Sequence, residues 1–436
     1  MREPAHAKAL RAVLPDLPAG HRAALRHLLT CSACRRQAAS SLQEKTKPEY
    51  GTLWRDLGEV LPALMREASE RRGEIERLLK DLLSPSPEYW TKALSEDTRF
   101  HSVLVLEALL DKAREAQPSS PARSDALAGL AADLAAHLYK GDFEEEQESA
   151  LLQAKVFNLS GNARRLLGNW NGAETALGGA AYSLAFTAEQ SWEGSTLCRY
   201  LGLLRWEQGR LDEAEALLRQ AARSFGEMEA PHEEAASRVL LGLLSLERDR
   251  AGKAVLLLQA GRAELSLDTS WLTVRAGLGL ALGLACVGHA GRAYEILQET
   301  SRHYPAITDE REVVRLPWLE GRVAARLGNG EAESLLEMAR RHLMAEHSLA
   351  DVTLCSLDLA SLLMEDGRMS EVPRLLQEIE ESFQGETEVL GLIRHIAGDV
   401  TSATGKTPRP SVAEAAFTLR RIFRFRGYRV EALPFV

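Results

Sequence analysis

Aromatic residues make up only 6% of this 436-residue chain, and no Asn-Gly or Asp-Gly turn joins two segments of alternating polarity. Strands draw on β-branched and aromatic residues with a period of two, so a β-rich fold is excluded. Cysteine is scarce: there are five, and Cys198, Cys286 and Cys355 stand alone in apolar helical patterns. That pattern excludes a disulfide scaffold and fits a reducing compartment. The first residues carry no apolar run of the signal-peptide kind. The longest uncharged apolar stretch, AGLGLALGLACVG at 276–288, is too short to cross a bilayer. A cytoplasmic protein without a membrane partner is expected. No Gly-rich phosphate loop or nucleophile elbow occurs, and His101, His137, His232, His289, His303, His342, His347 and His395 are scattered without ligand spacing. Nothing supports an enzyme.

What the chain does have is helical periodicity. Apolar residues recur at three and four almost throughout, and Ala, Leu, Glu and Arg dominate. The expected class is all-α. The length exceeds what one core supports, so several domains or a repeat array are expected. The formal charge of −9 argues against direct nucleic-acid binding. It is unevenly spread: seven Lys/Arg against two acids leave +5 on residues 1–36 and −14 on the rest. Polar and proline-bearing stretches at 37–50 and 401–412 mark linkers. The expected layout is a small module at 1–36, a linker at 37–50 and a helical region at 51–147, with atypical repeats as one reading of it. Repeats at 148–400 and a closing linker and cap helix at 401–436 follow.

Six segments of the long region align. Their turn position holds Gly168, Gly209, Asp249, Gly288, Gly328 and Gly367, spaced 41, 40, 39, 40 and 39. Seven residues earlier stands a small residue: Gly161, Gly202, Gly242, Ala281, Gly321 or Ala360. Five after the turn comes Ala173, Ala214, Ala254 or Ala293, then Ala332 one residue early and Val372. Leu177, Leu218, Leu258, Leu297, Leu336 and Leu376 follow, four beyond each. The small residue lets two helices approach, the turn glycine takes a left-handed conformation, and the Ala and Leu face inward. One such hairpin cannot bury its own apolar face, so the units stack. The pattern resembles the tetratricopeptide repeat, with a period near 40 where the family has 34. The resemblance implies an α-solenoid of helical hairpins with a concave face for a protein partner.

The stretch HLLTCSACRR at 27–36 places His27, Cys31 and Cys34 at i, i+4 and i+7, on one helix face. Imidazole and thiolate are the ligand types of tetrahedral zinc, and Arg35 and Arg36 favour the thiolate form. A module of this size needs a staple in order to fold. Structural Zn2+ is the expected reading. A redox-switching thiol pair and a metal-free relic of the motif remain the alternatives. The stretch resembles the zinc-binding anti-sigma factor domain. That resemblance implies a fourth ligand upstream, for which His6 is the nearest match and His21 the alternative. It further implies that the module clamps a sigma factor with the help of the helix at 52–83. The expected function is therefore a regulator that sequesters a sigma factor while the repeats bind a second protein. The alternative is a general scaffold in which the zinc module is only structural.

The closing segment TLRRIFRFRGYRV interleaves five arginines with Phe423, Phe425 and Tyr428. An amphipathic cap for the solenoid is expected there, with nucleic-acid contact as the lesser reading.

Overall fold

The computed structural model describes residues 72–382 together with positions 391 and 419, apart from short stretches at 118, 139–145, 186, 188–190, 266–270, 307–309 and 347–348. The module at 1–36, the linker at 37–50 and most of the segment from 383 onward lie outside the described residues. So does the helix expected at 52–83, except for residues 72–83, which are helical. Among the described residues there is no strand. Fifteen named helices follow: α1 Trp90–Glu96, α2 Val103–Ala116, α3 Pro121–Leu138, α4 Glu146–Leu166, α5 Trp170–Leu184, α6 Trp192–Glu207, α7 Leu211–Glu227 and α8 Pro231–Glu247. Then come α9 Ala251–Leu265, α10 Trp271–Cys286, α11 Ala290–Ser301, α12 Glu310–Leu327, α13 Ala332–Ala345, α14 Leu349–Glu365 and α15 Val372–Ser382. The described chain forms two compact units, one of 72–164 and 175–194, the other of 165–174 and 195 onward.

In the first unit α2 and α3 form an antiparallel pair. Ser102 starts α2 by accepting a hydrogen bond from the Val105 amide (3.2 Å), a use of serine typical of helix starts. Leu82, Leu94, Leu106, Leu109, Leu110, Leu134 and Leu159 fill one core with the Trp90 ring. Buried Gln117 ties this core together: its amide donates to the Leu159 carbonyl (3.0 Å), and Asn162 donates to its side-chain oxygen (2.9 Å).

The hairpin turns match the sequence reading residue for residue. Gly168, Gly209, Gly288, Gly328 and Gly367 have φ between 66° and 85°, and Asp249 has φ 54°. In five of the six turns, the amide after the turn residue bonds the carbonyl five residues back. The pairs are Arg210 to Arg205 (2.8 Å), Arg250 to Ser245 (2.9 Å), His289 to Leu284 (2.9 Å), Asn329 to Ala324 (2.9 Å) and Arg368 to Leu363 (2.8 Å). This is the Schellman closure, which satisfies carbonyls that the helix end leaves open. The pre-turn glycines have the expected purpose as well. A Cβ on Gly202 would sit 2.9 Å from Leu218 Cγ, one on Gly242 2.6 Å from Leu258 Cγ, and one on Gly321 2.9 Å from Leu336 Cγ.

One position departs from the repeat. Leu297 is only partly buried, and Ile296, at 2% exposure, takes the inward place. Residues three and four along a helix share a face, so the rotation of α11 decides between them.

In the second unit the first helices of successive hairpins also touch: α8 meets α10, α10 meets α12, and α12 meets α14. Its core has two large clusters, one around α6–α12 and one around α12–α15, and a small one of Ala221, Phe225 and Ala230. Leu419 belongs to the second; it is helical and fully buried.

Candidate functional site

The expected zinc ligands His6, His27, Cys31 and Cys34, and the alternative His21, lie outside the described residues. Among the described residues no group of three or more His, Cys, Asp or Glu side chains could hold a metal ion. The lone thiols differ in setting. Burial pushes the Cys198 and Cys355 thiols up, which keeps them protonated and unreactive. Cys286 is exposed.

The surface that a solenoid would offer along its first helices is already filled in mid-array. From Ala235 to Glu247 every residue of α8 but Arg238 is buried, and from Thr273 to Leu284 every residue of α10 but Arg275. A helix apolar on all sides is a core helix. Polar residues in this layer are spent on neighbouring hairpins. Arg165 pairs with Glu207, and the indole of Trp206 donates to Glu247. Arg199 pairs with Glu233 while its guanidinium lies 5.2 Å from the Phe225 ring centre. Farther along, Arg315 bonds Asp351 (2.6 Å), and Asp358 accepts from Trp318 (2.7 Å) and pairs with Arg322 (3.3 Å).

Open space lies on the other side of the layer. Between α9 and α11, above α10, a cleft of about 270 Å³ has Leu280, Leu284 and Ile296 as its floor. Its rim carries Gln259, Arg262, Thr273, Arg292 and His303. Arg262 reaches across to Glu299 at 2.9 Å, joining the two walls. The exposed side of α9 beside it, Gly252, Leu256, Gln259, Ala260, Ala263 and Glu264, carries a single charge, and Leu256 is 71% exposed. Apolar floor with a few convergent polar groups is the composition of ligand and peptide sites. The sequence reading missed this cleft because its lining comes from three helices and the turn after α11, at positions outside the repeat consensus.

A second cluster sits on α7. Glu215, 8% exposed, accepts from Lys253 (2.5 Å), Arg219 (2.6 Å), Arg248 (2.9 Å) and Arg250 (3.2 Å). The Lys253 ammonium is the main reason its carboxyl is held below the usual glutamate range, against the opposing effect of burial. The cluster locks the turn of Asp249 to the preceding hairpin.

No family profile matches the sequence, and no curated protein matches it. Solved structures do. A Rap protein complexed with competence and sporulation factor has a TM-score of 0.55 at 13% identity, covering 74% of this chain and 95% of that one. The fold is a helical-repeat solenoid. Aspartyl phosphate phosphatase F from Bacillus subtilis gives 0.49 at 11% identity, over 84% of this chain and 92% of that one. A Rap conjugation gene regulator in complex with the Phr* peptide gives 0.44 at 15%, over 76% and 98%. Identities this low speak to the fold alone. Among the described residues no helix is long and apolar enough to cross a membrane.

Proposed function

We propose that this chain is a non-enzymatic helical-repeat scaffold whose repeats bind a protein or peptide segment. The observation that carries this reading is the cleft between α9 and α11. It combines an apolar floor, a mixed polar rim and a neighbouring helix face whose exposed residues carry one charge, Glu264. An array whose first helices are sealed against one another has its open surface there. The similarity in fold to a Rap protein complexed with competence and sporulation factor supports a protein-binding role. A photo-crosslinking residue at Gln259 tests it in cells. A discrete protein adduct from position 259, absent from the exposed position 374 on α15, supports cleft binding. Equal labelling from both positions contradicts it.

The motif His27, Cys31 and Cys34, with His6, favours a second reading. In it the N-terminal module holds Zn2+ and sequesters a sigma factor. Zinc bound by the full chain and lost in Cys31→Ser, together with co-purification of a sigma factor, supports it. A sigma factor retained by the metal-free variant contradicts it.

A further inference from the structure

His101 and His137 stand 36 positions apart in the chain, yet their ring centres lie 5.1 Å from one another with a 40° tilt. His101 follows a single 3-10 turn, Thr98–Phe100, after α1, and His137 is in the last turn of α3. Three contacts fix the pair. Thr91 on α1 donates to Asp133 on α3 (3.0 Å), one turn before His137. Asp97 accepts the Arg99 amide (3.0 Å) and guanidinium (2.6 Å), closing the loop ahead of His101. Leu94, fully buried, offers its carbonyl to His101 Nε2 at 2.8 Å.

Each ring has one nitrogen spoken for. A carbonyl can only accept, so His101 donates from Nε2 to Leu94, and His137 donates from Nδ1 to the Asp133 carbonyl (2.8 Å). Both tautomers are thereby set, leaving the lone pairs of His101 Nδ1 and His137 Nε2 without a hydrogen-bond partner among the described residues. Metal-ligating histidines are typically held in this way, with the distal N–H on a carbonyl or carboxylate.

The spacing also fits. A zinc ion about 2.1 Å from each ring nitrogen, and so about 3.2 Å from each ring centre, would set the centres about 5.2 Å apart at a tetrahedral angle. The observed separation is 5.1 Å. We propose that His101 and His137 form a surface site for a divalent transition ion of the imidazole-preferring kind, zinc, copper or nickel. No third protein ligand joins them, since among the described residues no cluster of three ligating side chains exists. Asp97 is committed to Arg99. Water fills the remaining positions, so the ion is exchangeable. The site is separate from the N-terminal motif and ties the end of α3 to the loop after α1.

The test uses the full chain carrying Cys31→Ser and Cys34→Ser, so that the thiols of the N-terminal motif contribute nothing. It is titrated with zinc chloride by calorimetry near neutral pH. One zinc per chain is expected, with affinity falling at least tenfold on adding His137→Ala, an exposed position whose loss leaves the helix content unchanged. The corresponding His101→Asn variant should lose affinity equally. Copper(II) on the same parent should show nitrogen hyperfine structure from two imidazoles by electron paramagnetic resonance. No zinc uptake by the parent, or uptake unchanged in both histidine variants, overturns the proposal.

Discussion

The indole of Trp206 on α6 donates its Nε1–H to the carboxylate of Glu247 on α8, joining side chains 1% and 4% exposed across two successive hairpins. An offset of 41 residues is one repeat. The bond therefore reports on stacking between units and not on folding within one. Trp206→Phe keeps most of the buried ring but removes a donor from a buried carboxylate. A loss of about 1.5–3 kcal/mol is expected, read from denaturant midpoints.

Arg315 and Asp351 form the corresponding link between α12 and α14, with side chains 11% and 1% exposed. Asp351→Asn or Arg315→Met alone leaves one charge buried and should cost about 3–5 kcal/mol. Replacing both by apolar residues of similar volume should restore most of the loss. A double-mutant cycle in which the two single losses simply add would show that the pair is not coupled.

The close approach of hairpin helices makes a further prediction. In Gly242→Ala the new methyl would meet Leu258 Cγ at 2.6 Å, with the Leu258 backbone nitrogen at 3.2 Å. Overpacking of this kind costs about 1–3 kcal/mol. At the turns the signs differ. Gly288→Ala, at φ 85°, should destabilise by about 1 kcal/mol, whereas Asp249→Gly, at φ 54°, should be neutral or stabilising. Thermal melting of the three variants checks the order.

Much of this was legible in the sequence, because a repeat states each packing rule several times. Gly202 and Leu218, Gly242 and Leu258, and Gly321 and Leu336 meet as the spacing requires. Periodicity could not choose between Ile296 and Leu297, which lie three and four residues beyond the inward Ala293. It was silent on Trp206 with Glu247 and Arg315 with Asp351. Those links join different residue types in each unit, so no consensus marks them. The His101–His137 pair was hidden for another reason. It is made by the packing of α1 on α3, outside the repeats, and linear spacing does not encode it. The cleft was equally silent, being the gap that three helices leave between them.

Acid should weaken the second unit through Glu215. Folding holds this carboxyl below its ordinary range, with Lys253 the main cause. The stabilisation is therefore complete above the unfolded glutamate pKa of about 4.3. It is lost as pH falls through the lower folded value. Glu215→Gln should remove that acid-dependent portion. At neutral pH it should leave Lys253, Arg219, Arg248 and Arg250 facing one another without their shared acceptor. Urea midpoints of both proteins from neutral to acidic pH should converge at the acid end. Parallel curves would contradict the assignment.

In the proposed function the repeats hold the partner through the α9–α11 cleft. The deciding measurement is the dissociation constant of the protein crosslinked from position 259, against three forms of this chain. These are the full chain, a form lacking residues 1–48, and Ala263→Arg, which fills the cleft from its exposed wall without touching the floor. The predicted result is an unchanged constant for the truncated form and at least a tenfold weaker one for Ala263→Arg. Binding abolished by the truncation and indifferent to Ala263→Arg would rule out the cleft and move the partner to the N-terminal module.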